Sequence, residues 1–192
     1  MAATALKTKI ISIKEYLAFE ETSQVRHEFY NGKIIEMPGG SPTHSRLIGR
    51  MSHVLISVLE KKDKELVVYT ADLKIGIPNA NTIVYPDVLV VCEKVELMKG
   101  RKDVVINPLL VVEILSPSTE HHDRNDKFML YKQIPSLKEY VLVKQERPHI
   151  NTFFRDKPNT WIDTVEENLE KFIYFASIDC EISLAQVYKG IF

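Results

Sequence analysis

Leu109-Leu110-Val111-Val112-Glu113-Ile114-Leu115-Ser116-Pro117-Ser118-Thr119 is a β-branched, almost wholly apolar run that stops at a turn. Such a run reads as a strand buried on both faces, which places it inside a sheet covered by helices. Glu113 is its one charged residue, and an ionised carboxylate in that setting needs a partner or a metal. A second run, Ile83-Val84-Tyr85-Pro86-Asp87-Val88-Leu89-Val90-Val91, carries the same irregularity at Asp87. One such residue reads as an edge-strand charge turned to water. Two of them, in the two most hydrophobic strands, suggest a shared cation site.

Working outward, residues 12–21 read as a short helix capped by Ser12. His27-Glu28-Phe29-Tyr30 and Lys33-Ile34-Ile35-Glu36-Met37 flank Asn31-Gly32, a type I′ hairpin signal. Residues 42–62 predict a long amphipathic helix, with Ser41 as N-cap, Pro42 in the first turn, and Leu47, Ile48, Met51, Val54, Leu55, Val58 and Leu59 on one face. Strands are expected at 66–77, 83–91, 109–115 and 139–143. A second helix runs from a cap at Asp123 to about Gln133, ended by Ile134-Pro135. Residues 149–154 and 161–165 read as a peripheral hairpin, and the C-terminal third carries no interpretable motif. The order predicts an α/β fold with a central sheet flanked by helices.

The 192 residues suffice for one domain, 1–192, with 45% apolar and 27% charged side chains, as in ordinary globular proteins. A formal net charge of −1 excludes a polybasic nucleic-acid coat protein. The basic islands Lys61, Lys62, Lys64 and Lys94, Lys99, Arg101, Lys102 read as solvated helix ends and loops. Cys92 and Cys180 are too few and too far apart for a metal knuckle, and fit a reducing compartment. Residues 1–13 lack a secretory apolar core, and no apolar run approaches a membrane span. The expectation is a cytoplasmic protein with no membrane partner.

By alternation Asp87 shares a face with Tyr85 and Leu89, and Glu113 with Val111 and Leu115. If the strands are neighbours, both carboxylates project from one side, close together and open to solvent at one sheet edge. Mg²⁺ suits such a pair, because it accepts one or two carboxylates, keeps several waters and binds phosphate oxygens. Asp123, Lys127 and Tyr131 recur at i, i+4, i+8, so Lys127 is the candidate cation; alone it also reads as a snorkelling lysine, and Asp123 as a plain cap. His44 reads equally as a site residue or a cap-region contact. His121-His122 reads as a solvated loop, and Tyr131 and Tyr140 as core-edge residues.

Tyr85-Pro86-Asp87-Val88, Val111 to Thr119, Asp123, Lys127, Tyr131 and the 139–143 strand together resemble the Uma-type endonucleases of the PD-(D/E)XK, or restriction-endonuclease-like, superfamily. The resemblance covers roughly residues 13–145. It implies an αβββαβ core with a central mixed sheet flanked by helices, here with N-terminal and C-terminal hairpins. It implies that Asp87 and Glu113 bind Mg²⁺ or Mn²⁺, that the substrate is DNA, and that a homodimer acts. The superfamily's lysine lies two residues after the Glu, where this chain has Leu115, and the resemblance moves that role to Lys127. A further acid maps to Glu28, with Glu36 as the alternative. A non-catalytic interaction module of the same fold is the rival, kept open by the displaced lysine and the near-neutral charge. A two-carboxylate glycosidase is poorly supported by a single Trp.

Overall fold

The computed structural model describes residues 10–62, 65–70, 72–92 and 94–192. Lys64 and the residues before Ile10 therefore lie outside it, as does Ala71 within the expected 66–77 strand. Helix α1 (Ile13–Glu20) starts at a capping box in which Ser12 and Glu15 exchange side-chain-to-backbone bonds. Strands β1 (His27–Tyr30) and β2 (Lys33–Glu36) form the expected hairpin, with Asn31 and Gly32 at φ 44° and 91°. Helix α2 (Pro42–Leu59) is capped by Ser41, whose hydroxyl accepts from the His44 amide.

Strands β3 (Leu66–Thr70), β4 (Lys74–Ile77), β5 (Thr82–Val84) and β6 (Val88–Cys92) follow, then β7 (Val104–Val105) and β8 (Leu110–Leu115). A π-helical segment, His122–Lys127, runs into α3 (Phe128–Tyr131). The chain ends with β9 (Glu139–Lys144), β10 (Ile150–Lys157), β11 (Thr160–Glu166), β12 (Phe172–Phe175), β13 (Cys180–Ser183) and α4 (Leu184–Val187).

The fold is mixed α/β. A six-stranded sheet has the order β11-β10-β9-β8-β6-β3, and a five-stranded sheet the order β2-β1-β5-β4-β7. In the larger sheet β8 and β9 are parallel and joined through the π-helical turn and α3; β6 and β8 are antiparallel, pairing Val88 with Val112. The interior strand β8 is buried along its whole length, as its apolar run requires. One face of this sheet packs Val88, Val90, Val112, Ile114 and Val141 against Leu47, Met51 and Leu55 of α2. The other face packs Leu89, Val111, Leu115 and Tyr140 against Tyr131 of α3 and against Ile75, Ile77 and Val84 of the smaller sheet.

Several expectations change. The 83–91 run is two strands: β5 pairs in the smaller sheet and β6 in the larger, with Tyr85-Pro86-Asp87 as the elbow between them. The 66–77 run divides in the same way into β3 and β4. Asp123 is not an N-cap; it lies inside the π-helical segment and is buried. The 150–166 hairpin is not peripheral, since β10 continues the main sheet beside β9. The C-terminal third folds β12, β13 and α4 over the α2 face, adding Ile173, Phe175, Ile182 and Leu184 to that core.

Arg155 of β10 holds the far end of α3. Its guanidinium donates to the carbonyls of Lys132, Ile134 and Pro135, which have no helical partners beyond the last turn. Arg155→Met keeps the apolar stem but leaves those carbonyls bare. It should destabilise the protein by about 1–3 kcal/mol in urea unfolding; an unchanged midpoint would show that water replaces the cap.

Candidate active site

The elbow is where the two sheets part, so its backbone amides leave both ladders. Acid side chains take them. The Tyr85 N–H donates to Glu28 Oε1 at 3.0 Å, and the Asp87 N–H to Glu113 Oε2 at 3.4 Å. Pro86, between them, has no N–H to satisfy. In return the Ile114 N–H donates to Asp87 Oδ2 at 2.7 Å, so Asp87 and Glu113 each bind the other's strand. Thus Asp87 and Glu113 do stand together. They do so at the elbow and within β8, inside the sheet rather than at an open sheet edge: their side chains are 16% and 4% exposed. The enclosing elements are the N-terminus of α2 and the smaller sheet, which the apolar runs alone do not reveal.

Lys127 projects from the π-helical segment into this acid cluster. Its Nζ lies 3.0 Å from Glu28 Oε1, 3.2 Å from Glu113 Oε1 and 3.5 Å from Asp123 Oδ1. Its contacts reach Glu113 and not Asp87; the basic side chain on Asp87 is His44, whose Nε2 is 3.2 Å from Oδ2. The Tyr131 hydroxyl donates to Glu113 Oε1 at 2.9 Å, and the Tyr140 hydroxyl to the Asp123 carbonyl at 3.0 Å. Both tyrosines are fully buried, not core-edge. Glu28 stands in the cluster, whereas Glu36 is exposed at the end of β2. His121 is exposed, while His122 contacts Tyr30, a link that sequence reasoning missed. Tyr30 has a usable signal: it lies two residues after Glu28, on the same strand face.

Electrostatically the cluster is short of positive charge. Four carboxylates, Glu28, Asp87, Glu113 and Asp123, surround one lysine and one histidine. Burial pushes the Glu113 carboxyl well above its ordinary range; Lys127 opposes this, and Asp87 adds to it. Asp123 is raised by burial in the same way. Burial alone would lower Lys127, but Glu113, Glu28 and Asp123 override it and hold the ammonium well above its usual range. His44 is raised, chiefly by its hydrogen bond to Asp87.

The donor set suits a hard divalent cation. His44 and Lys127 each occupy one oxygen of the pair, Asp87 Oδ2 and Glu113 Oε1. Among the described residues Asp87 Oδ1 has no hydrogen-bond partner, and Glu113 Oε2 takes only the long Asp87 amide contact. No group of three His, Cys, Asp or Glu side chains among the described residues forms a ready cage, and Mg²⁺ needs none, since it keeps waters.

An α/β fold of this kind is shared with a solved structure from Anabaena variabilis, described as "a putative nuclease belonging to DUF820". The TM-score is 0.76 over 95% of this chain and 99% of that one; at 16% identity the likeness is one of fold. The chain belongs to the Uma2 family, described as "Putative restriction endonuclease", whose model matches residues 13–184. Two uncharacterized proteins of Synechocystis sp. are similar to it. Protein slr1290 is 34% identical over 183 residues (94% of this chain, 93% of that one), and sll1609 is 34% identical over 173 (89% and 97%). Among the described residues no helix is long and apolar enough to cross a membrane.

The raised carboxyls set a sign for pH dependence. Folded Glu113 and Asp123 bind a proton more tightly than the unfolded chain does, so their contribution is fully present below the ordinary values of 4.5 and 3.8. It is lost as pH rises from there towards the folded values. Metal-free protein should therefore show a urea midpoint that falls with rising pH over this window, and Glu113→Gln should remove part of that fall. An identical slope in the variant would mean that Lys127 fully compensates Glu113.

Proposed function

We propose that this chain is a divalent-metal-dependent endonuclease that hydrolyses phosphodiester bonds in DNA, with Asp87 and Glu113 holding Mg²⁺ or Mn²⁺. The observation that carries the reading is the reciprocal pairing of Asp87 and Glu113 at the elbow, each with one oxygen engaged by a basic side chain and one left for a metal. The excess of carboxylates over cations points the same way, and membership of the family supports it.

A metal bound there supplies Lewis-acid polarisation of the phosphoryl group and lowers the pKa of bound water. The chain's own residues do the rest. Lys127, held as an ammonium by three carboxylates, acts as an electrostatic stabiliser and water-positioner and not as a neutral base. Tyr131 fixes the rotamer of Glu113, and His44 that of Asp87. Glu28 binds Lys127 and the elbow amide at once, so it sets the distance between the lysine and the metal pair. With Lys127 in place, Leu115 at the usual lysine position is a relocation of the cation and not its loss. The same reading takes residues 1–192 as one cytoplasmic domain that acts on DNA as a homodimer.

Asp87→Asn should abolish Mn²⁺ binding in calorimetry while the metal-free thermal midpoint stays the same or rises, because one buried charge has gone. Retained affinity would remove Asp87 from the metal site. Lys127→Ala should keep Mn²⁺ binding and lower metal-dependent plasmid nicking by about 10²–10³, as for loss of one preorganised charged contact. Nicking at the wild-type rate would take the catalytic role away from Lys127.

A further inference from the structure

The Tyr30 hydroxyl donates to Glu28 Oε2 at 2.5 Å. The Tyr30 hydroxyl oxygen is also 2.9 Å from His122 Nε2, and the ring's other nitrogen, Nδ1, is 2.9 Å from Asp126 Oδ2. The Tyr30 and His122 rings meet edge to face with centroids 5.3 Å apart, which fixes their mutual orientation. A phenol has a single proton to give. With that proton on the Glu28 carboxylate, Tyr30 is left as an acceptor and His122 Nε2 must be the donor. Exposure rises steadily along the series, from 9% at the Glu28 side chain to 37% at His122 and 64% at Asp126. The hydrogen-bonded series therefore starts in solvent and ends on a carboxylate that touches Lys127.

We propose that Asp126, His122 and Tyr30 form a proton relay between solvent and the buried Glu28 carboxylate. The transfer balances. A proton that Asp126 takes from water at the rim passes to His122 Nδ1, the His122 Nε2–H bond breaks as a Tyr30 Oη–H bond forms, and the original Tyr30 proton leaves for Glu28 Oε2. His122 is neutral before and after the transfer, and its proton ends on Nδ1, facing Asp126. In the opposite direction a proton leaves the site. Burial, reinforced by Glu28, holds the Tyr30 hydroxyl well above the usual phenol range, so it passes a proton only as it receives one. The groups facing His122 are Asp126 on its own helical turn and Tyr30 from β1, with Glu28 and Lys127 beyond. The relay meets a need of the site: carboxylates nearly closed to water must exchange protons with solvent whenever a cation binds or an acidic product forms.

Two arms test it, and only the second rests on the nuclease reading. In metal-free, full-length protein with ¹⁵N-labelled histidine, His122 should show a low-field Nε2–H resonance protected from exchange. It should shift in Glu28→Gln, two hydrogen bonds away, and vanish in Tyr30→Phe. Its absence from the wild type, or indifference to Glu28→Gln, overturns the relay whether or not the protein cuts DNA. With Mn²⁺ and supercoiled plasmid, His122→Ala should lower kcat about 10²-fold, within the range of general acid–base contributions, with KM little changed. Free imidazole should restore most of that loss. A folded His122→Ala protein that nicks at the wild-type rate, or that imidazole does not rescue, also overturns the relay. A wild type with the resonance but no nicking would sink the nuclease reading and leave the relay standing.

Discussion

One ammonium joins acids from three elements. Glu28 comes from the five-stranded sheet, Glu113 from the middle of the six-stranded sheet, and Asp123 from the helical turn that carries Lys127 itself. Breaking a buried ion pair leaves an unpaired charge and is strongly destabilising, so each of these acids is confined to the place where the lysine can reach it. The sheets converge here, and Tyr131 and Tyr140 extend the constraint into the apolar core through Glu113 and the Asp123 carbonyl. The cluster still holds four carboxyls to one lysine and one histidine.

The elbow is the counterpart of this constraint in the backbone. Residues 66–92 form one antiparallel excursion whose two arms each pass from one sheet to the other: β3 pairs with β6, and β4 pairs with β5. A strand that changes sheets must leave amides without ladder partners. At 85–87 the loss is small, because Pro86 offers no donor and its neighbours donate to Glu28 and Glu113. The residues that compensate the bend are thus the residues of the site. A change that straightened the elbow would also take away the acids' hydrogen-bond donors.

What was readable from the residues follows the range of the forces involved. The Asn31-Gly32 turn, the Ser41 cap, the α2 stripe and the apolar β8 are decided within a few residues, and the structure has them. The split of 83–91 was not readable, because side-chain alternation continues across the elbow and both halves are apolar; Pro86 was the one local signal. Asp123 looked like a cap because its type favours one, whereas burial beside Lys127 decides its place. Tyr30 and His122 lie 92 positions apart, and no periodicity connects them. The family resemblance brought Asp87, Glu113, Lys127 and Glu28 together as a set, but His44 on Asp87 required the three-dimensional course of α2.

The apolar residue at position 115 has a geometric reason. Leu115 follows Glu113 on the same face of β8, and that face is packed with Leu89, Tyr131, Tyr140 and Leu142. A lysine there would end in hydrocarbon unless the core opened. The lysine beside Glu113 comes instead from the helix above, which presents Asp123, Lys127 and Tyr131 to one point. In a regular α-helix residues four apart drift by about 40°, so the outer two of an i, i+4, i+8 set diverge by about 80°. The π-helical winding of His122–Lys127 takes more residues per turn and reverses the drift over the first interval, while α3 restores the ordinary winding over the second. The two errors oppose each other, and all three side chains face the acid cluster. The irregular turn is therefore what lets Asp123, Lys127 and Tyr131 meet at one point.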